Sequence, residues 1–491
     1  MKTRIIFFLA VAFVPAFFLT ARYSGTHSKP SDLRDAPISN SALDQLDLGN
    51  FNNAAPLPVP YTPQPEQRSM GVSNWIARTK IKPLTPRKWT IMVFMNGKNN
   101  LKDAMFTDVN MMEAIGSDKN INIVAELGRS RGLALKTDLY NWNESRRLYI
   151  TKDDNAKKIT SKTLMGNGRA DMGDYRRVVD FVKWAKTNFP ADKYMLVISG
   201  HGLGWMDPKP AGKGVSFDDR TNNYIRTREM GRLLQESGKV DILTFDACLM
   251  QTGEVAAEIG NKVSYILGSE EVVPGLGLPY HILLGILAQR PDMSALDFSS
   301  IITLSYTKFY QQYVKGVLFS AVRADKIDGF HRLVRKFTTL AIETSDTAAL
   351  TAARDGVLRM DIPLFGDLYN FLELYSANMK KQDARISSAI RDLQKYIKEE
   401  LIAVNSYFGV NSKGRNYQDG HGVSLYIPYA PADGVNNVPI SEVEARFEAP
   451  YTDFAFTRST GWYELVSLMS TLPSAGQKRG QHTPLQNTLL Q

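Results

Sequence analysis

Tyr194-Met195-Leu196-Val197-Ile198-Ser199-Gly200-His201-Gly202 and, further on, Asp241-Ile242-Leu243-Thr244-Phe245-Asp246-Ala247-Cys248 are two apolar runs, each closed abruptly by small or reactive residues. A short apolar run without polar alternation predicts a parallel strand buried on both faces. Open α/β sheets place their sites at the carboxyl edge of such strands. One edge delivers His201 and the other Cys248, the only cysteine in the chain. Taken singly, a cysteine is usually buried filler and a histidine usually a satisfied structural residue. Two such edges on one sheet predict a thiol–imidazole pair instead. A thiol with an ordinary pKa of about 8.5 becomes largely thiolate beside an imidazolium, and the imidazole can then protonate a leaving amine. That is the chemistry of a cysteine peptidase.

Outward from these runs, strands and helices alternate. Strands are expected at Ile91–Met95, Ile121–Glu126 and Tyr265–Leu267, with a small hairpin from Tyr140–Trp142 and Arg147–Ile150. Helices are expected at Leu101–Ile115, Thr227–Glu236 and Gln251–Ile259, and Asp174 is placed to cap another whose Tyr175, Val178, Val179 and Val182 recur at amphipathic spacing. Repeated βα units imply a mainly parallel sheet with helices on both faces. Beyond Leu278 the pattern turns helical, at Phe298–Tyr313 and Ile327–Thr344 and along the stripe Ile386, Ile390, Leu393, Ile397 and Leu401. Strands at Val317–Val322 and Val423–Pro428 interrupt it, and Tyr451–Met469 reads as a closing helix.

A chain of 491 residues is long enough for more than one hydrophobic unit. Lys2 and Arg4 precede an apolar stretch from Ile5 to Leu19, and Thr20-Ala21 follow, the order of a secretory signal. The expected organisation is a signal peptide or signal anchor at 1–21 and a Pro- and Ser-rich, propeptide-like arm at 22–86. A catalytic core at 87–280 follows, then a helical C-terminal subdomain with a late strand at 281–470 and a polar tail at 471–491. This order predicts secretion or residence in the periplasm or cell envelope, with membrane contact only if the signal segment is retained. A single cysteine excludes an internal disulfide, so the core must hold by packing. The net charge of +9 comes from dispersed Lys and Arg with no basic run interleaved with aromatics, which argues against a nucleic-acid partner.

Ile198-Ser199-Gly200-His201-Gly202-Leu203-Gly204-Trp205 with Asp241 through Met250 resembles the paired His and Cys blocks of the clostripain family of cysteine peptidases. Trp89 through Met95 with Asn99-Asn100-Leu101 resembles the family's first strand and turn. Ser269-Glu270-Glu271 with Pro274-Gly275-Leu276-Gly277 resembles its strand end after the cysteine, and Gly422 through Pro428 a late strand. The resemblance runs from about Trp89 to Trp462 and implies a caspase-like α/β sandwich.

Cys248 is then the nucleophile and His201 the general acid and base. The backbone N–H groups of Gly202 and Cys248 are the candidates for an oxyanion hole, which needs donors aimed where negative charge develops. Asp246 lies two residues before Cys248, hence on the same face of a strand. A carboxylate there either orients the imidazole, binds a basic substrate side chain, or caps the next helix. The resemblance implies the second, an S1 pocket accepting Arg or Lys at P1 of a protein or peptide substrate. Leu276 stands where relatives carry a polar or acidic residue, which leaves another P1 preference open. Asp218-Asp219 and Glu270-Glu271 either shape the pocket, hold a hard cation such as calcium, or stand as solvated loop acids. No cofactor is required, and His, Cys and carboxylates show no zinc spacing. Relatives cut themselves after a basic residue between the His and Cys blocks, which implies self-cleavage at Lys209, Lys213 or Arg220. The competing reading is a non-catalytic cell-envelope binding protein that keeps the fold.

Overall fold

The structure, a computed structural model, describes residues 85–130, 144–209, 213–380, 382–428 and 440–473. The expected signal segment, almost all of the N-terminal arm, the strand at Tyr140–Trp142 and the tail from 474 lie outside those residues.

Strands β1 (Arg87–Gly97), β2 (Ile121–Arg129), β5 (Ala191–Ser199), β8 (Ile242–Asp246) and β9 (Tyr265–Gly268) form the parallel centre of a nine-stranded sheet. At one end β3 (Ser145–Tyr149) and β4 (Lys162–Gly166) add antiparallel strands beside β2. At the other, β10 (Gly316–Arg323) pairs antiparallel with β9, and β12 (Ile402–Gly409) with β10. The order is β12-β10-β9-β8-β5-β1-β2-β3-β4.

The central strands read as unbroken apolar runs because both faces are covered. On one face Met92, Phe94, Leu196, Ile198, Leu243 and Phe245 pack beneath α2 (Tyr175–Asn188), α3 (Met230–Ser237), α4 (Gly253–Ile259) and α7 (Ile327–Thr344). On the other, Ile91, Val93, Met95, Met195, Val197 and Ile242 meet α1 (Lys102–Glu113), α5 (Tyr280–Gln289) and α6 (Ala295–Tyr310). The Asp174 carboxylate caps α2 by accepting the Arg176 N–H, as its position predicts.

The C-terminal half is less separate than its sequence implies. Its strands β10 and β12 extend the same sheet, so the boundary expected near residue 280 is crossed by backbone hydrogen bonds. The amphipathic stripe ends in a π-turn at Ile397–Leu401 and continues directly into β12. The late strand β13 (Ser424–Tyr426) pairs instead with β11 (Phe365–Asp367) in a small separate sheet. The closing helix is broken at Gly461, whose φ of +68° a side chain would resist. It forms α12 (Ala455–Thr460) and α13 (Trp462–Thr471).

These last elements clasp the loop after His201. Trp205 is fully buried, with its ring centroid 4.6 Å from that of Tyr451 and 5.3–5.6 Å from those of Tyr426, Phe447 and Phe454. The C-terminal half therefore fixes one side of the site that the central strands present.

Candidate active site

Strands β5 and β8 are neighbours, and Ser199 stands opposite Asp246 in their register. Two residues beyond each lie His201 and Cys248, so the fold brings both sequence candidates to one carboxyl edge. Beyond the paired region the two loops stay in contact. The Gly200 N–H donates to the Asp246 carbonyl at 3.1 Å. A Cβ on Gly202 would fall 2.6 Å from the Cys248 carbonyl oxygen and 3.1 Å from its nitrogen. Only glycine allows the His loop to lie this close to the Cys loop. Among the described residues the N–H groups of Gly202 and Cys248 meet no acceptor in hydrogen-bonding geometry, so two donors stand side by side next to the thiol.

His201 is almost completely buried, and its Nε2 lies 2.8 Å from Asn100 Oδ1. Asn100 ends a turn built by its predecessors. Asn96 Nδ2 donates to the Ser216 carbonyl at 2.7 Å and Asn99 Nδ2 to the Phe217 carbonyl at 2.7 Å, tying the end of β1 to β6 (Val215–Asp218). The Ser216 N–H closes the circle by donating to the His201 carbonyl at 3.1 Å. With Nε2 held by Asn100, Nδ1 is the nitrogen left for proton transfer. Asn100 therefore orients the imidazole. Its presence in the first turn was visible in the sequence, but its part in the site depends on how that turn folds.

The Lys213 ammonium donates to the same Asn100 oxygen at 2.9 Å. Burial, with the Lys213 charge second, pushes the His201 pKa down to about 3. Burial likewise pushes the Cys248 thiol up to about 11, against a 3.4 Å hydrogen bond from the Val273 N–H and with the Glu271, Asp246 and Asp361 charges adding to the rise. Both shifts oppose the thiolate–imidazolium pair expected from the residue types alone. The partial charge of the following helix also contributes little, because α4 begins only at Gly253, capped by Thr252, and Leu249 turns the chain away at φ +62°.

Asp246 is buried on the α5 and α6 face, where Tyr280 donates to Oδ2 at 2.9 Å and Ser199 approaches the same oxygen at 3.4 Å. Its Oδ1 has no hydrogen-bond partner among the described residues. Gly277 lies directly on the carboxylate, since a Cβ there would fall 2.8 Å from Oδ2. Burial raises the Asp246 pKa, with hydrogen bonds from the Tyr280 hydroxyl, the Leu278 N–H and the Ser199 hydroxyl opposing.

The two acidic pairs part company. Asp218 is buried against Lys98, 3.7 Å away, and accepts the N–H groups of Met172 and Arg220, whereas Asp219 is exposed. Glu271 is buried, accepting from the N–H groups of Val272 and Asp361 and from the Tyr417 hydroxyl at 2.8 Å. Glu270 accepts the Gly422 N–H at 2.9 Å. Among the described residues no group of three or more His, Cys, Asp or Glu side chains is arranged to hold a metal ion. Asp108, Asp361 and Tyr417 join these acids without any signal in the sequence, since an isolated acid or phenol in a helix or loop reads as solvated.

Of the three candidate self-cleavage residues, Lys209 donates its N–H to the Arg446 carbonyl and its ammonium to the Ala445 carbonyl. Arg220 sits in the turn that Asp218 caps and donates to the Arg169 carbonyl. Lys213 reaches Asn100.

A model of the clostripain family matches residues 93–465. Clostripain of Hathewaya histolytica is 29% identical over 215 residues, 40% of this chain and 41% of that protein, so the chain spans about two fifths of that relative's length. A secreted C11 cysteine protease from Bacteroides thetaiotaomicron, solved with an irreversible peptide inhibitor, superposes with a TM-score of 0.55 at 18% identity, over 77% of this chain and 99% of that one. An inactive zymogen C11 protease from Parabacteroides distasonis superposes with a TM-score of 0.54 at 17% identity, over 77% and 99%. These two structural likenesses are of fold.

Proposed function

Because the chain belongs to the clostripain family of cysteine peptidases, we propose that it is an exported endopeptidase that cleaves after Arg or Lys through Cys248 and His201. The observation that carries the reading is the β5–β8 register, which sets the two residues at adjacent strand ends with Gly202 against Cys248.

As Cys248 Sγ attacks the P1 carbonyl carbon, His201 Nδ1 takes the thiol proton and the carbonyl π pair moves to oxygen. The Gly202 and Cys248 N–H groups receive that oxyanion. Collapse of the tetrahedral intermediate expels the leaving amine, which takes the proton from His201, and a thioester remains. Water then attacks the thioester while His201 accepts its proton; collapse expels the thiolate, which His201 reprotonates. The direction of both shifts favours a sequence in which the proton moves only as the new bond forms. Asn100 holds the imidazole throughout.

Asp246 supports the basic P1 preference. It is a buried carboxylate with one unpartnered oxygen, two residues from the nucleophile, and a desolvated charge pair there outweighs a surface bridge. Self-processing is assigned to the Lys213–Gly214 bond, since Lys209 and Arg220 have their N–H groups tied into the fold. Among the described residues no helix is long and apolar enough to cross a membrane.

The test is hydrolysis of matched fluorogenic peptides ending in Arg, Lys or Asp by wild type and Cys248→Ala, with and without calcium. Arg or Lys turnover lost in the variant is the expected result; Asp turnover would overturn the role of Asp246. No turnover by folded, mature wild type would favour the binding-protein reading. N-terminal sequencing of the mature fragments should find Gly214, and cell fractionation should place them outside the cytoplasm.

A further inference from the structure

Asp108 is the least explained polar residue beside the site. It lies on α1, 2% exposed, and no hydrogen bond or ion pair among the described residues reaches it. Its helical neighbours Met105, Val109 and Met112 are apolar core residues, so nothing in their packing calls for a carboxylate. Burying an acid without donors or a counter-charge is costly unless it stays protonated or something from outside compensates it.

The surroundings indicate which. The charge that acts on Asp108 is Asp246, and together with burial it drives the Asp108 pKa well above the ordinary carboxylate range. One turn before Asp108, Met105 Sδ lies 3.4 Å from Ser199 Oγ, and that hydroxyl also approaches Asp246 Oδ2 at 3.4 Å. α1 and the end of β8 thus meet across Ser199, and the charges of both acids act on the buried hydroxyls of Tyr280 and Tyr310. The Tyr310 hydroxyl donates to the carbonyls of Pro274 and Gly277, at 3.2 and 2.7 Å, and so holds the loop that roofs Asp246. Asp108 and Asp246 each keep a buried oxygen without a partner.

We propose that Asp108 is a second specificity residue of the S1 pocket, and that a basic P1 side chain is received between two carboxylates, one from α1 and one from the end of β8. The proposal rests on the reading of Asp246 given above. Among the described residues no cation pairs with either acid, and a basic P1 side chain supplies one. This also answers Leu276: selectivity for a basic P1 does not need an acid in the 274–277 loop when α1 supplies one from behind.

The experiment compares kcat/KM for matched peptides ending in Arg and in citrulline, its neutral isostere, across wild type, Asp108→Asn and Asp108→Ser. Thermal melting and the stoichiometry of Cys248 alkylation check the fold. The expected result is an Arg-to-citrulline ratio at least tenfold lower in both variants, with citrulline turnover within about twofold of wild type. Melting temperatures should not fall, because an uncompensated buried acid is being removed. A ratio unchanged in the folded variants, while Asp246→Asn abolishes it, overturns the role of Asp108 alone. Equal losses on both peptides, or melting lowered in both variants with activity lost on every substrate, make Asp108 structural and also overturn it. No Arg preference in wild type overturns the basic-P1 reading and this proposal with it.

Discussion

Two groups of buried acids flank Cys248, and they differ in what the protein gives them. On the C-terminal side Glu271 accepts two backbone N–H groups and the Tyr417 hydroxyl, and Glu270 accepts the Gly422 N–H. Asp367 accepts the N–H groups of His421 and Asn370. These acids stitch the 357–427 segment to the strand end after the cysteine. On the α1 side Asp246 has a phenol and a hydroxyl on Oδ2, the Leu278 N–H close to the carboxylate and no partner in hydrogen-bonding geometry on Oδ1, and Asp108 has no partner among the described residues. A satisfied buried acid is structural material, whereas an unsatisfied one at the mouth of a reactive edge is a receptor. Glu270 and Asp361 cross the division: Glu270 Oε2 has no partner although Oε1 accepts the Gly422 N–H, and Asp361 serves Glu271 with its N–H while neither of its carboxylate oxygens has a partner.

The difference is broken most directly at Asp246. Asp246→Asn removes a charge two residues from the nucleophile while keeping its shape and its bond to Tyr280. Truncating one side of a desolvated charged pair costs roughly 2–5 kcal/mol, so kcat/KM for an Arg peptide should fall by about 30- to 5,000-fold. Glu271→Gln, an equally conservative change in the satisfied group, should leave the Arg-to-citrulline ratio within about twofold. If instead Glu271→Gln erases the preference and Asp246→Asn does not, satisfaction by donors is no guide to function here.

The sequence shows one of these groups far better than the other. Asp246 is legible because it sits two residues from Cys248 on a strand, where periodicity fixes the shared face. Asp108 is not, since an acid in a twelve-residue helix reads as part of its wet side until the tertiary structure turns that side inward. The central strands were legible for the same reason His201 and Cys248 were: continuous apolar runs have few interpretations, and a glycine-flanked histidine at the end of one has fewer. What failed was non-local. β12 pairs with β10 across a long intervening segment, from Gly316 opposite Gly409 to Val322 opposite Ile402. Nothing local in Ile402–Gly409 announces a partner so far away. Asn100 likewise became readable as an orienting residue only once Ser216 and Phe217 had pinned its turn.

A smaller effect concerns stability. Burial, with the Asp361 charge second, raises Glu271 from 4.5 to about 8. A folded-state pKa above the unfolded value means the proton is held more tightly in the native protein. The resulting stabilisation is complete below about pH 4.5 and is lost as pH rises through about 8. Glutamine resembles the protonated acid and cannot ionise. Melting curves should therefore show Glu271→Gln close to wild type at pH 5 and more stable at pH 9, by roughly 2–5 kcal/mol. A parallel decline of both proteins between pH 5 and 9 would assign that slope to another group.

The mildest effect reads the thiol itself, where the two groups act together. Burial, then the charges of Glu271, Asp246 and Asp361, hold Cys248 near 11, and His201 near 3 does not supply an imidazolium to lower it. Alkylation of the free protein by iodoacetamide should accelerate by about tenfold per pH unit from 7 to 10, following the thiolate fraction. A preformed thiolate–imidazolium pair would give a plateau across that range instead. Asp361→Asn removes one of the like charges without touching the α1 side, so its profile should move a few tenths of a pH unit lower, with the Arg-to-citrulline ratio unchanged. A shift in the ratio would place Asp361 with the receptors, and its two empty oxygens would then outweigh the structural bond made by its N–H.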